Sequence, residues 1–173
     1  MRELISKAMC HESMSFIVVP HLSREHASVL TNILDSLSPL KVKTIEHQQK
    51  IEPCHLYVLP PKYYAIMEDD CLKLIPRPEK GINQSANVLF ESLAKFYGRN
   101  AIGVVLSGAA VGADGTEGVK MIKAAGGHTY AQEPRTAEHP DMPELAIASG
   151  CIDSVLTAEE IGHELALISW AQD

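Results

Sequence analysis

Apolar positions along the chain fall into two alternating patterns, short continuous runs and longer stretches at helical spacing. Phe16, Ile17, Val18 and Val19 form a run rich in β-branched side chains, the pattern of a strand buried on both faces. Pro20 ends it. Ser23 is placed to cap the helix that Val29, Leu30, Ile33, Leu34 and Leu37 mark by their spacing, and Pro39 closes that helix. Residues 42–45 predict a second strand, and residues 56–59 a third that stops at Pro60 and Pro61. Residues 63–67 and 72–75 predict a hairpin, although no glycine marks its turn. The polar stretch from 76 to 84 is read as an exposed connection, too short to be a domain linker.

In the second half, Phe90, Leu93, Ala94 and Tyr97 mark an amphipathic helix ending at Gly98. Residues 102–106 are another buried strand, 107–118 a glycine-rich loop, and 116–125 a helix stopped by Gly126 and Gly127. A short strand at 129–131 leads into an irregular stretch through Pro134, Pro140 and Pro143, then a helix over 144–149 ending at Gly150. The strand 152–156 runs into Thr157, Ala158, Glu159 and Glu160, a capping box for a last helix carrying Ile161, Leu165 and Ile168 on one face. Helices alternating with apolar strands predict one α/β domain over residues 1–173. The expected architecture is doubly wound: a mostly parallel sheet with helices on both faces and a small antiparallel hairpin.

Composition narrows the function. With 46% hydrophobic and 21% charged residues the chain is globular, and its net charge of −7 argues against a general nucleic-acid or anionic-membrane binder. No apolar run approaches the roughly 18 residues of a membrane span, and the first residues lack the apolar core of a secretory signal. A cytoplasmic protein with no membrane insertion is expected. Cys10, Cys54, Cys71 and Cys151 form no C-x-x-C pair, so they are read as packing residues, with no metal and no cofactor implied. All 11 glycines lie at or after Gly81, which places any glycine-built turn site in the second half.

Ligands of open α/β sheets bind beyond the carboxyl ends of the strands, here the corner at residues 20–23 and the loop at 107–118. The loop fits neither common phosphate-binding pattern, has no lysine before Lys120, and carries Asp114 where a phosphate would sit. A nucleotide binder is therefore disfavoured. Asp114 reads either as a turn former or helix cap, or as a carboxylate that orients an imidazole. His21, directly after the first strand, is the natural imidazole, although a solvated or packed histidine is the plainer reading. His11, His47, His128 and His163 sit in polar or helical surroundings, and His26 and His55 read as satisfied core residues.

From about residue 14 to 167 the chain resembles the catalytic domain of CheB-type protein-glutamate methylesterases, most closely the variety in large chemotaxis-like fusions with a methyltransferase. The resemblance rests on Phe16-Ile17-Val18-Val19-Pro20-His21-Leu22, Ile51-Glu52-Pro53-Cys54-His55-Leu56-Tyr57-Val58-Leu59-Pro60-Pro61 and Ala101-Ile102-Gly103-Val104-Val105-Leu106-Ser107-Gly108. It continues through Gly112-Ala113-Asp114-Gly115-Thr116-Glu117-Gly118, Ile122-Lys123-Ala124-Ala125-Gly126-Gly127, Ala131-Gln132-Glu133-Pro134 and Met142-Pro143-Glu144-Leu145-Ala146-Ile147. It implies hydrolysis of glutamate methyl esters on a methylated chemoreceptor or related signalling protein by a Ser-His-Asp triad. The histidine falls on His21 and the aspartate on Asp114.

The resemblance supplies no serine. Residues 2–8 resemble the end of the helix that follows the family's nucleophile turn, so the first strand and that turn are missing from the sequence. Ser13 and Ser15 precede the His21 strand, Ser23 reads as a cap, and Ser107 matches a non-nucleophilic serine. The loop between Gly108 and Asp114 is about two residues longer than the family's, Asp141 stands where glycine is usual, and Pro20 where glutamine is common. The expected alternatives are an esterase whose nucleophile lies elsewhere, or an inactive homologue that binds receptor or signalling proteins. Another chain or a homo-oligomer would be needed to cover the missing strand. No receiver domain is expected.

Overall fold

The computed structural model describes residues 1–10, 13–20, 27–109 and 114–168. Its elements run α1 (Arg2–Lys7), β1 (Phe16–Val18), α2 (Ala27–Leu37), β2 (Lys41–Thr44), β3 (Gln49–Lys50), β4 (His55–Val58), β5 (Tyr63–Glu68) and β6 (Cys71–Pro76). After the polar connection come α3 (Ser85–Tyr97), β7 (Ile102–Val105), α4 (Thr116–Ala124), β8 (His128–Gln132), α5 (Asp141–Ala148), β9 (Ser154–Leu156) and α6 (Ala158–Leu167). Short 3-10 turns lie at Gly98–Asn100 and Pro134–Thr136.

The apolar runs become parallel strands, as their pattern requires. β4, buried along its whole length, lies between β1 and β2, with Phe16 opposite Leu56 and Thr44 opposite Val58. β8 lies between β7 and β9 in a second parallel sheet, with Ile102 opposite His128 and Gln132 opposite Leu156. One face of both sheets shares a single core, in which Leu4, Ile5, Leu34, Leu56, Tyr130, Ile161 and Leu165 bring α1, α2 and α6 together. On the other face, Leu89 and Leu93 of α3 pack with Tyr57 and Leu59, while Val119 and Ile122 of α4 pack near Val105 and Ala101. The predicted α/β architecture with helices on both faces is therefore present, its parallel strands divided into two groups of three.

The predicted hairpin is β5–β6, extended by the two-residue β3 into an antiparallel sheet that the sequence pattern did not show. Asp69 and Asp70 turn it with φ of 52° and 60°, the positive pair that a primed hairpin turn needs. It packs on α3, where Met67 N–H donates to Ser92 Oγ at 2.9 Å. α6 begins at the predicted capping box: Glu160 N–H donates to Thr157 Oγ1, and Thr157 N–H donates to the Glu160 carboxylate. Among the described residues no helix is long and apolar enough to cross a membrane.

One expectation is corrected. Cys10 and Cys54 are not simple packing residues but form a disulfide, their Cα atoms 4.5 Å apart. Their separation of 44 positions gives no sequence signal. The fold creates the pair by laying the segment after α1 against the start of β4, where Cys54 N–H also donates to Met14 O. Cys71 and Cys151 are free and partly buried.

Candidate functional site

Two described loops meet at the carboxyl ends of β7 and β8. Ser107 follows β7, and its N–H donates to the side-chain oxygen of buried Gln132, the last residue of β8. The Gln132 amide in turn donates to Thr136 O and Oγ1, so it fixes the loop after β8 while holding the one after β7. His139 N–H donates to Ser107 Oγ at 2.9 Å, and Gly108 N–H donates to His139 O. Met142 N–H at the start of α5 then donates to Gly108 O. A β-carbon on Gly108 would lie 2.5 Å from Met142 Sδ, so glycine leaves room for the Met142 side chain here.

Asp114 enters the same region from the start of α4 and is 2% exposed. Its Oδ2 accepts from Ala86 N–H at 2.9 Å, and its Oδ1 from Asn87 N–H at 2.8 Å and Gly115 N–H at 3.0 Å. The first two donors are N–H groups in the first turn of α3, which have no acceptor within the helix and where backbone dipoles favour a negative charge. Asn87 returns the bond: its Oδ1 accepts from Gly115 N–H at 2.9 Å and Gly118 N–H at 2.8 Å, at the first turn of α4. Asp114, just before α4, therefore caps α3, and Asn87 of α3 caps α4. Gly115 makes the crossing possible through its φ of +92°, a left-handed conformation that costs a residue with a β-carbon about 1–2 kcal/mol.

Both sequence readings of Asp114 bear on this geometry. It is a helix cap, but for α3 rather than for the helix it precedes. A carboxylate offers roughly four acceptor positions, and three backbone donors here fix its plane. His21, the expected partner, lies outside the described residues, as do Ser23 and residues 110–113 of the loop. Ser13 and Ser15 lie before β1, at the end away from this site, as expected. His55 is a satisfied core residue, with Nδ1 2.8 Å from Pro53 O, Nε2 3.3 Å from Glu52 Oε2, and its ring stacked on Tyr57.

Sequence reasoning missed Asn87, Gln132 and the backbone of His139. Asn87 stands 28 positions from Gly115, and no spacing rule joins them. The available signal for Gln132 was its place directly after Tyr130 and Ala131, at the carboxyl end of a strand.

Comparison with known proteins gives this geometry a context. Residues 1–165 match the family model described as CheB methylesterase. A provisionally named protein-glutamate methylesterase/protein-glutamine glutaminase of Leptospira interrogans is 35% identical over 150 residues, covering 85% of this chain and 76% of that protein. A protein-glutamate methylesterase/protein-glutamine glutaminase of Methanococcus maripaludis is 31% identical over 159 residues, 86% of this chain but 42% of that protein. An uncharacterized 104.1 kDa protein of Rhodobacter capsulatus is 36% identical over 137 residues, 79% of this chain and only 14% of its own length. The chain thus spans less than half of two of these three relatives. In structure it is similar to the CheB methylesterase catalytic domain of Thermotoga maritima, with a TM-score of 0.81, 25% identity, and coverage of 95% and 91% of the two chains.

Proposed function

The chain belongs to the CheB methylesterase family, and from that premise we propose that it serves a chemotaxis-type system in the cytoplasm as a carboxylic-ester hydrolase domain acting on glutamate methyl esters of a receptor or related signalling protein. The observation that supports this most directly is Asp114, buried at the carboxyl end of β7 with both carboxylate oxygens fixed by backbone donors. A carboxylate fixed in this way can orient an imidazole and stabilise the imidazolium that forms during acyl transfer.

His21 takes the part of general base. It removes the proton from an attacking hydroxyl as oxygen adds to the ester carbonyl, then returns that proton to the departing methoxide, so methanol leaves and an acyl-enzyme remains. Water repeats the sequence and regenerates the hydroxyl, leaving the glutamate carboxylate. The same steps with an amide release ammonia, the second activity in the relatives' names. None of Ser13, Ser15 or Ser107 suits the attacking role: the first two precede β1, and the Ser107 hydroxyl holds the His139 backbone. The nucleophile of this proposal is therefore none of these three.

The glycine-free first 80 residues favour a second reading, a non-catalytic descendant that binds the same receptor segments, because a tight nucleophile turn has no glycine to form it there. Methanol release from a methyl-esterified receptor separates the two. Hydrolysis that falls at least about 100-fold in His21→Ala supports the esterase. Folded protein without release, but with receptor binding that His21→Ala leaves intact, supports the binding module.

A further inference from the structure

The bond between Cys10 and Cys54 lies at the surface. Cys10 is exposed and Cys54 half-buried, so a small thiol can reach the sulfurs without unfolding the chain. Cys54 also grips the same connection by its backbone: its N–H donates to Met14 O at 2.9 Å, while its carbonyl accepts from Lys41 N–H at 3.2 Å. One residue therefore holds the chain between α1 and β1 at two points, Cys10 through sulfur and Met14 through a hydrogen bond.

The domain does not need this crosslink to fold. A chain of 173 residues buries a sizeable apolar core, whereas the domains that depend on disulfides are far shorter. The backbone gives a second reason. Cys54 has φ of 60°, in the left-handed region that favours glycine, so a side chain there is strained unless it brings a compensating interaction. The bond to Cys10 is such an interaction. Other contacts hold the flanking elements whether or not the sulfurs are joined. Leu4 and Ile5 of α1 share a core with Leu165 of α6, Lys7 Nζ lies 3.1 Å from Glu159 Oε1, and β1 pairs with β4 from Phe16 opposite Leu56 to Val18 opposite Val58. Two thiols released here stay neighbours, and their reoxidation is intramolecular.

We propose that Cys10 and Cys54 form a reversible redox clamp on the connection between α1 and β1, opened by small thiols of the glutathione class and closed by the corresponding disulfide. In opening, a thiolate attacks Cys10 Sγ, the Sγ–Sγ bond breaks, and Cys54 leaves with the electron pair and takes up a proton. A second thiol then displaces the Cys10 mixed disulfide, so two small thiols become one small disulfide as two protein thiols form. Closing is the reverse. The clamp rests on the cytoplasmic setting proposed above, in which disulfides are transient or redox-sensing, and not on the catalysis. β1, the strand that it steadies, leads on to His21.

The test equilibrates the intact chain in native buffer with mixtures of reduced and oxidised glutathione, then traps free thiols by alkylation and maps the peptides by mass spectrometry. The Cys10–Cys54 linkage is expected at the oxidised end and two alkylated thiols at the reduced end, with the same course from either direction. Amide hydrogen exchange is followed in both forms at Cys54, and at Ile45, whose N–H donates to Val58 O, as the reference. Reduction should speed exchange at Cys54 at least about tenfold and change Ile45 by less than about twofold. Cys10→Ala, at an exposed position, should show the fast rate in every mixture. A linkage that resists glutathione until the chain unfolds would be a fixed crosslink and would overturn the proposal. So would cysteines that never link, or equal exchange at Cys54 in the two forms. None of these outcomes bears on the esterase reading, which methanol release tests separately.

Discussion

The hairpin turn shows how residues in the glycine-free half adopt unusual backbone. Gln48, Cys54, Lys62, Asp69 and Asp70 all have positive φ, each within the first 80 residues. Aspartate tolerates this region better than most side chains, which explains the two at the turn. The sequence pattern located the hairpin but not its conformation, because the turn is made by residues that usually take negative φ. Asp153 illustrates a different reach. Burial alone would raise its carboxyl, but hydrogen bonds from Lys123 and from Thr129 N–H and Oγ1 outweigh this and hold it below its ordinary value. A depressed carboxylate contributes stability that is complete above the ordinary value near pH 4 and is lost as pH falls through the lower folded value. Asp153→Asn should therefore lower stability at neutral pH and flatten its fall below about pH 4, as read by urea denaturation across pH.

At the level of elements, strands and helices were largely legible because each buried face has its own period in the sequence. Helix α4 and the capping box of α6 fall where the pattern puts them. β3 was not legible: two polar residues make a strand only because β6 lies beside them. The docking of α1 on α6 shows the same dependence on context. A β-carbon on Gly162 would lie 2.8 Å from Leu4 O and 2.8 Å from Lys7 Cβ. Backbone cannot yield as a flexible side chain can, so Gly162→Ala should push α1 away and destabilise the fold by about 1–3 kcal/mol despite alanine's better helix propensity. Thermal unfolding checks this, and Gly150→Ala is no substitute control because that glycine has φ of +71°.

Across the whole molecule, the family resemblance anticipated the architecture. Periodicity alone located most elements and the fold class. What neither supplied was long-range pairing: the Cys10–Cys54 bond and the exchange of caps between α3 and α4 join residues tens of positions apart. The disulfide ties the segment after α1 to the start of β4. Reduction should lower the stability by about 2–4 kcal/mol through the freed unfolded chain, and Cys54→Ser should show the same loss without added reductant. Denaturant midpoints with and without reductant measure it, and an unchanged midpoint would mean the two thiols are merely neighbours.

The crossed caps of Asp114 and Asn87 also decide how the molecule can breathe. Opening the loop before α4 withdraws acceptors from the first turn of α3, and fraying that turn withdraws Asn87 from Gly115 and Gly118. The two helix starts therefore open as one cooperative unit instead of as independent frayed ends. The carboxylate that the proposed chemistry would use is a member of that unit, so it cannot loosen alone: its rigidity is borrowed from the first turn of a helix whose Ala86 lies 28 positions upstream.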